Sequence, residues 1–180
     1  MKVTAFDLKL ALLSYFRFER QWVCVDEFRH ADVVVDTGED FVEVEVKITK
    51  GDLVNKECKK TGKHWHYSIG QPYNQLWPNK FYFCVPETLV KDAMEMCLGL
   101  NPKYGVIAFN PHIFENHIRW NYNFPHQKCL RMARTAKKLH ESYDNHQQAI
   151  ARRASAKLID LMKLQYLQIR RNQNDNIKNT

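Results

Sequence analysis

The run Phe41-Val42-Glu43-Val44-Glu45-Val46-Lys47-Ile48 alternates apolar and charged residues without a break. A period of two is the pattern of a β-strand with one face buried. Val42, Val44, Val46 and Ile48 fall on one face, and Glu43, Glu45 and Lys47 on the other. Upstream, Ala31-Asp32-Val33-Val34-Val35 reads as a second strand with an acid near its start. Two neighbouring strands of this kind bring Asp32, Glu45 and Lys47 around one point. Two carboxylates and an ammonium there suit magnesium-dependent phosphodiester chemistry. The plainer alternative is a half-exposed strand whose charged face is simply solvated.

Charge is distributed unevenly. Of the 180 residues, 1–124 carry 15 Lys and Arg against 16 Asp and Glu, whereas 125–180 carry 12 against 4, so the net +7 comes from the C-terminal third. Such asymmetry points to a polyanionic partner, nucleic acid first, with a solvated basic helix as the bland reading. The expected organisation is one domain over 1–124 with a basic helical extension over 125–180.

The five cysteines, Cys24, Cys58, Cys84, Cys97 and Cys129, are odd in number and form no CxxC pair. Cys24 and Cys84 lie in apolar strand-like runs, where Cys acts as a small hydrophobe. A reduced, intracellular, cytoplasmic protein is expected. No run approaches the ~18–20 apolar residues of a membrane span, and the N-terminus lacks a signal-peptide pattern.

Along the chain, 4–17 reads as a helix capped by Thr4 and Asp7, with Phe6, Leu10 and Leu13 on one face that Phe16 or Arg17 continues. Strands are expected over 18–28, 31–36 and 41–48, with Gly38 in the turn between the last two. A short helix is expected over 52–61, a Pro-containing loop over 71–79 and a buried strand over 80–85. A helix opened by Pro86 and stopped near Gly99 follows, then a strand over 104–109 and an edge strand within 113–122. From about 126 the chain reads as long helix, with a break near 143–146 that would make a helical hairpin. The Ile150, Ala154, Leu158, Leu161 and Met162 face of that helix is a candidate surface for homodimerisation or partner binding. The class is α/β (α+β), a mixed sheet with helices packed on it, and without a Gly-rich phosphate loop it is not a dinucleotide or P-loop fold.

In this element order the residues resemble the PD-(D/E)XK nuclease superfamily, whose restriction-endonuclease-like core is αβββαβ. Asp32 matches its acid on the second strand, and Glu45-Val46-Lys47 its (D/E)-x-K on the third. The segments 29–35 and 45–53, Lys63-His64 with Tyr67, and the 81–86 strand look like small bacterial and phage DNA-repair members. The pattern covers about residues 4–85. The residue before the first acid is Ala31 rather than Pro, and Glu43 is a competing acid wrongly spaced from Lys47. Many members place a further acid near the first helix; Glu19 and Glu27 are candidates, Glu27 the preferred one.

The resemblance implies a metal-dependent DNA endo- or exonuclease in DNA repair, recombination or phage DNA processing. It implies Mg²⁺ or Mn²⁺ held by Asp32, Glu45 and the Val46 carbonyl, and Lys47 orienting the attacking water or stabilising the transition state. Lys63, His64 and Tyr67, and the basic Arg152, Arg153 and Lys157, would contact DNA. Rival readings are a non-catalytic nucleic-acid-binding or protein-interaction module on the same fold. A zinc site from His64-x-His66 and Cys58 is a weaker one.

Overall fold

In the computed structural model, which describes the backbone of residues 3–57, 59–114 and 129–178 and side chains through 166, six strands form one mixed sheet. The strands are β1 (Val23–Phe28), β2 (Ala31–Asp36), β3 (Phe41–Val46), β4 (Lys80–Pro86), β5 (Gly105–Phe109) and β6 (Leu130–Arg134). They lie side by side in chain order. The first three form an antiparallel meander, β3, β4 and β5 run parallel, and β6 returns antiparallel to β5. The parallel steps require crossovers, and helices supply them: α2 (Thr61–Ser68) between β3 and β4, and α3 (Val90–Leu100) between β4 and β5.

Both faces of the sheet are covered. Helix α1 (Ala5–Ser14) is held at its start by reciprocal Thr4 and Asp7 hydrogen bonds, the expected capping box. Its Leu8, Ala11 and Leu12 pack on Val33, Val35, Val42, Val44, Val46 and Cys84. On the opposite face Leu53, Tyr67, Ala93 and Cys97 pack on Phe81, Phe83, Val85 and Val106. β3 is therefore buried along its whole length, its charged residues included. The plainer alternative of a solvated charged face is thereby set aside: α2 covers the Glu43-Glu45-Lys47 face.

Departures from expectation have local causes. The inner stripe of α1 is Leu8, Ala11, Leu12 and Phe16, whereas Phe6 is 70% exposed. Two apolar stripes compete on this helix, and the one carrying small Ala11 allows the closer approach to the sheet. Residues 15–19 extend the first helix as a π-helical turn, so the first strand opens at Val23 rather than at 18. The expected 52–61 helix is a π-helical turn over Asp52–Lys56, after which α2 starts at Thr61. α3 ends at Leu100, one residue past the expected stop near Gly99.

The expected edge strand within 113–122 is helical at 113–114 and otherwise lies outside the described residues. The edge strand is β6, at Leu130–Arg134, where helix was expected. The chain then runs without helix to a single long helix, α4 (Gln147–Lys178), so no helical hairpin forms there. The division at 124/125 consequently cuts the sheet. The C-terminal third supplies its sixth strand, and Ala136, Leu139 and Ile150 to the core.

Candidate functional site

Strand register fixes the site. Val33 pairs with Val44 and Val34 with Glu43, so the next step sets Asp32 opposite Glu45. On the other side Asp26 pairs with Val33 and Phe28 with Ala31, which sets Glu27 opposite Asp32. Glu27, Asp32 and Glu45 thus form a row across three adjacent strands. Like charges opposite one another repel, so such a row needs cations around it.

At one end, the Lys9 ammonium of α1 lies 3.2 Å from both Glu27 and Asp32. The second Asp32 oxygen accepts a 2.9 Å hydrogen bond from the Val46 N–H, in the place of a ladder acceptor. Lys47 N–H donates to Cys84 on the other side of β3. Successive residues of a strand present their main-chain groups to alternate sides, so the Val46 carbonyl faces the β2 side with its N–H. Burial, and then the Glu45 charge, raise the Asp32 carboxyl above its usual range, against the opposing effects of Val46 and Lys9.

At the other end the charges are buried and paired. Glu45, 2% exposed, takes Lys60 at 3.0 and 3.1 Å, Lys47 at 3.4 Å, and Lys63. Burial alone would raise its carboxyl. Lys63, Lys60 and Lys47 outweigh burial and the neighbouring Glu57, and hold it at about 2. Glu57 accepts from Lys47 at 2.7 Å, Lys60 at 3.3 Å and His64 Nε2 at 3.0 Å. Glu43 accepts from the Tyr67 hydroxyl at 2.7 Å and pairs with Lys63. His64 Nδ1 meets the Tyr104 hydroxyl at 2.9 Å. Three carboxylates and three ammoniums balance here, whereas Asp32 and Glu27 share Lys9. Lys47 is kept protonated: burial would lower its pKa, but Glu45 and Glu57 raise it above the ordinary lysine value.

The expected residues separate into three groups. Asp32, Glu45, Val46 and Lys47 come together, and Glu27 joins them at an exposed rim position. Lys63, His64 and Tyr67 were expected to reach DNA, but they are buried beneath the sheet face and committed to Glu43, Glu45 and Glu57. That commitment also leaves His64 no zinc role, and Cys58 lies outside the described residues. Arg152 and Arg153 are exposed on α4, while Lys157 pairs with Asp26 at 2.6 Å and approaches Glu27 at 4.0 Å.

Glu57 and Lys60 were not anticipated. Their sequence signal is a spacing of three and four, 57, 60, 64 and 67, although Glu57 and Lys60 precede α2 and no single helix carries the stripe. Among the described residues no three His, Cys, Asp or Glu side chains gather as a ready metal cage. The candidate donors are instead two carboxylates and a main-chain carbonyl, all hard oxygen ligands of the kind Mg²⁺ takes.

No family model and no curated protein matches this chain. A solved structure with the same fold is the SPO1766 protein of unknown function from Silicibacter pomeroyi. The two are 12% identical with a TM-score of 0.54, over 92% of this chain and 94% of that one. At this identity the likeness concerns the fold: a mixed α/β protein built on a six-stranded sheet. Among the described residues no helix is long and apolar enough to cross a membrane.

Proposed function

We propose that this protein is a divalent-metal-dependent deoxyribonuclease of the PD-(D/E)XK type, hydrolysing phosphodiester bonds in DNA. One observation carries the reading: the row Glu27–Asp32–Glu45 with Lys47 at its end. Burial and then the Glu45 charge keep the Asp32 carboxyl raised, and a bound cation would relieve the second of these. Asp32, Glu45 and the Val46 carbonyl would hold Mg²⁺ or Mn²⁺. When bound, such an ion lowers the pKa of its water and neutralises phosphate charge.

The protein's own residues divide the remaining work. Val46 N–H orients Asp32. Glu57 anchors Lys47 beside Glu45 and keeps it charged. A permanently charged Lys47 is a poor proton acceptor near neutral pH. Its role is to orient the attacking water and to offset charge on the pentacovalent phosphorus. Glu27 is a third acid at the open end, and Arg152 and Arg153 offer charge to the DNA backbone.

The test is cleavage of supercoiled, linear, single-stranded and branched DNA with Mg²⁺ or Mn²⁺, alongside calorimetry of ion binding. Asp32→Asn keeps an acceptor for Val46 N–H and so the fold. It is expected to lose ion binding and cut the rate about 100-fold or more, as should Lys47→Met without loss of the ion. No cleavage and no ion uptake by the unaltered protein would sink the proposal. It would favour the second reading, a non-catalytic binding module, to which the saturation of Glu45 by three lysines lends support.

A further inference from the structure

Two tight turns meet beside the site. Arg29 and His30 join β1 to β2, both with positive φ, +49° and +72°. Asn74 and Gln75, at +48° and +63°, close a second turn, flanked by paired Tyr73 and Leu76. Positive φ at both central residues is the I′ turn, which favours Asn-Gly and strains larger side chains. Arg29 and Gln75 therefore hold costly conformations, and such strain gathers where a side chain must be aimed. The turns are tied together: Arg29 Nη1 donates to the Gln75 carbonyl at 2.7 Å, with its guanidinium 5.0 Å from the Phe28 ring centre.

Between the turns lies a cavity of about 160 Å³, lined by Arg29, His30, Lys60, Lys63, Tyr73 and Asn74 over Leu76. Its cationic wall includes two of the three lysines that hold Glu45, Lys60 and Lys63, so cavity and carboxylate row share a boundary. Lys60 and Lys63 are balanced by Glu43, Glu45 and Glu57; Arg29 is the surplus charge. Only one of its five N–H donors goes to Gln75, and the His30 ring has no hydrogen bond among the described residues. The volume is below the ~300 Å³ at which sites for whole small molecules begin, yet ample for a tetrahedral anion and water.

We propose that this cavity is a phosphate-binding subsite, taking one phosphate group of the DNA substrate next to the reacting one, with Arg29 as principal ligand and His30 and Lys60 assisting. The proposal rests on the nuclease reading for its substrate but not for its test. That phosphate is either a strand's terminal monoester or an internal diester; the recognition chemistry is common to both.

The test is binding without metal. Labelled oligonucleotides ending in a 5′-phosphate, a 3′-phosphate or hydroxyls only are titrated by fluorescence anisotropy in EDTA. Inorganic phosphate competes, against chloride at matched ionic strength. Phosphate should compete better than chloride. Arg29→Gln should weaken binding about tenfold or more, the weight of one hydrogen bond between charged groups, and Arg29→Lys should weaken it less. Loss confined to one phosphate-ended strand identifies a terminal phosphate, and equal loss for all three identifies an internal one.

Phosphate no better than chloride, or both variants binding like the unaltered protein, overturns the proposal. The competition arm uses the unaltered protein, so it holds even if a variant fails to fold. Phosphate-specific binding without cleavage under any metal would instead count against the nuclease reading alone.

Discussion

Lys63 is 4% exposed and pairs with two buried carboxylates, Glu43 and Glu45. Replacing it with Met would leave both acids buried beside one fewer cation. Breaking a buried ion pair from one side costs about 3–5 kcal/mol, more than the pair itself contributes over an apolar substitute. Urea unfolding of Lys63→Met should show a loss of that size; an unchanged midpoint would mean that Lys47 and Lys60 suffice for the network. At this scale the sequence was informative where a residue's environment follows from strand period. Asp32, Glu45 and Lys47 were legible because alternation sets the face and register follows from it. Lys63, His64 and Tyr67 were legible as a cluster but not as an interior. A basic, aromatic run looks like surface until the acids that receive it are known to be covered. Glu57 was hidden further, since its inward direction depends on the π-helical turn before it and on α2 folding back over β3.

Among elements, β6 and α4 show where local pattern gives way to tertiary pairing. Leu130–Arg134 carries basic residues at a spacing that suits a helix, but the exposed edge of β5 offers main-chain partners, and pairing wins. Among its described side chains α4 keeps the expected apolar stripe, yet of these only the first turn is spent on the core. Ile150 is buried, whereas Leu158, Leu161 and Met162 are 59–64% exposed. Lys157 fixes the helix to β1 through Asp26, with the exposed Arg152 and Arg153 on the preceding turn. If these arginines meet DNA phosphates, each releases condensed counterions. The double change Arg152→Ala, Arg153→Ala should then flatten the plot of log binding constant against log salt by about 2, close to one unit per contact. An unchanged slope would remove α4 from the DNA interface and leave its exposed stripe as a surface of another kind.

For the whole molecule, the buried charges make folding depend on acidity in a direction that can be worked out. Glu45 is held at about 2 against an ordinary 4.5. A depressed carboxyl stabilises the fold fully above its unfolded value, and that contribution drains away as the pH falls through the folded one. The shift corresponds to about 3 kcal/mol, lost between roughly pH 4.5 and pH 2. Glu57 acts in the same sense, its depression by His64 and Lys47 overcoming burial. Asp32 and Glu43 act oppositely. Burial raises both, so they take up protons in the folded state first and offset part of the loss. Since the ammoniums surrounding Glu45 and Glu57 remain charged throughout, acidification converts a balanced interior into a cationic one. Unfolding free energy measured in urea from about pH 6 to about pH 2 should therefore fall steeply below the ordinary carboxylate range. Glu45→Gln should start less stable and fall along a shallower curve, because the group that titrates has gone. Parallel curves for the two proteins would mean that Glu45 is not held by its lysines in solution, and the electrostatic account of the site would fail with it.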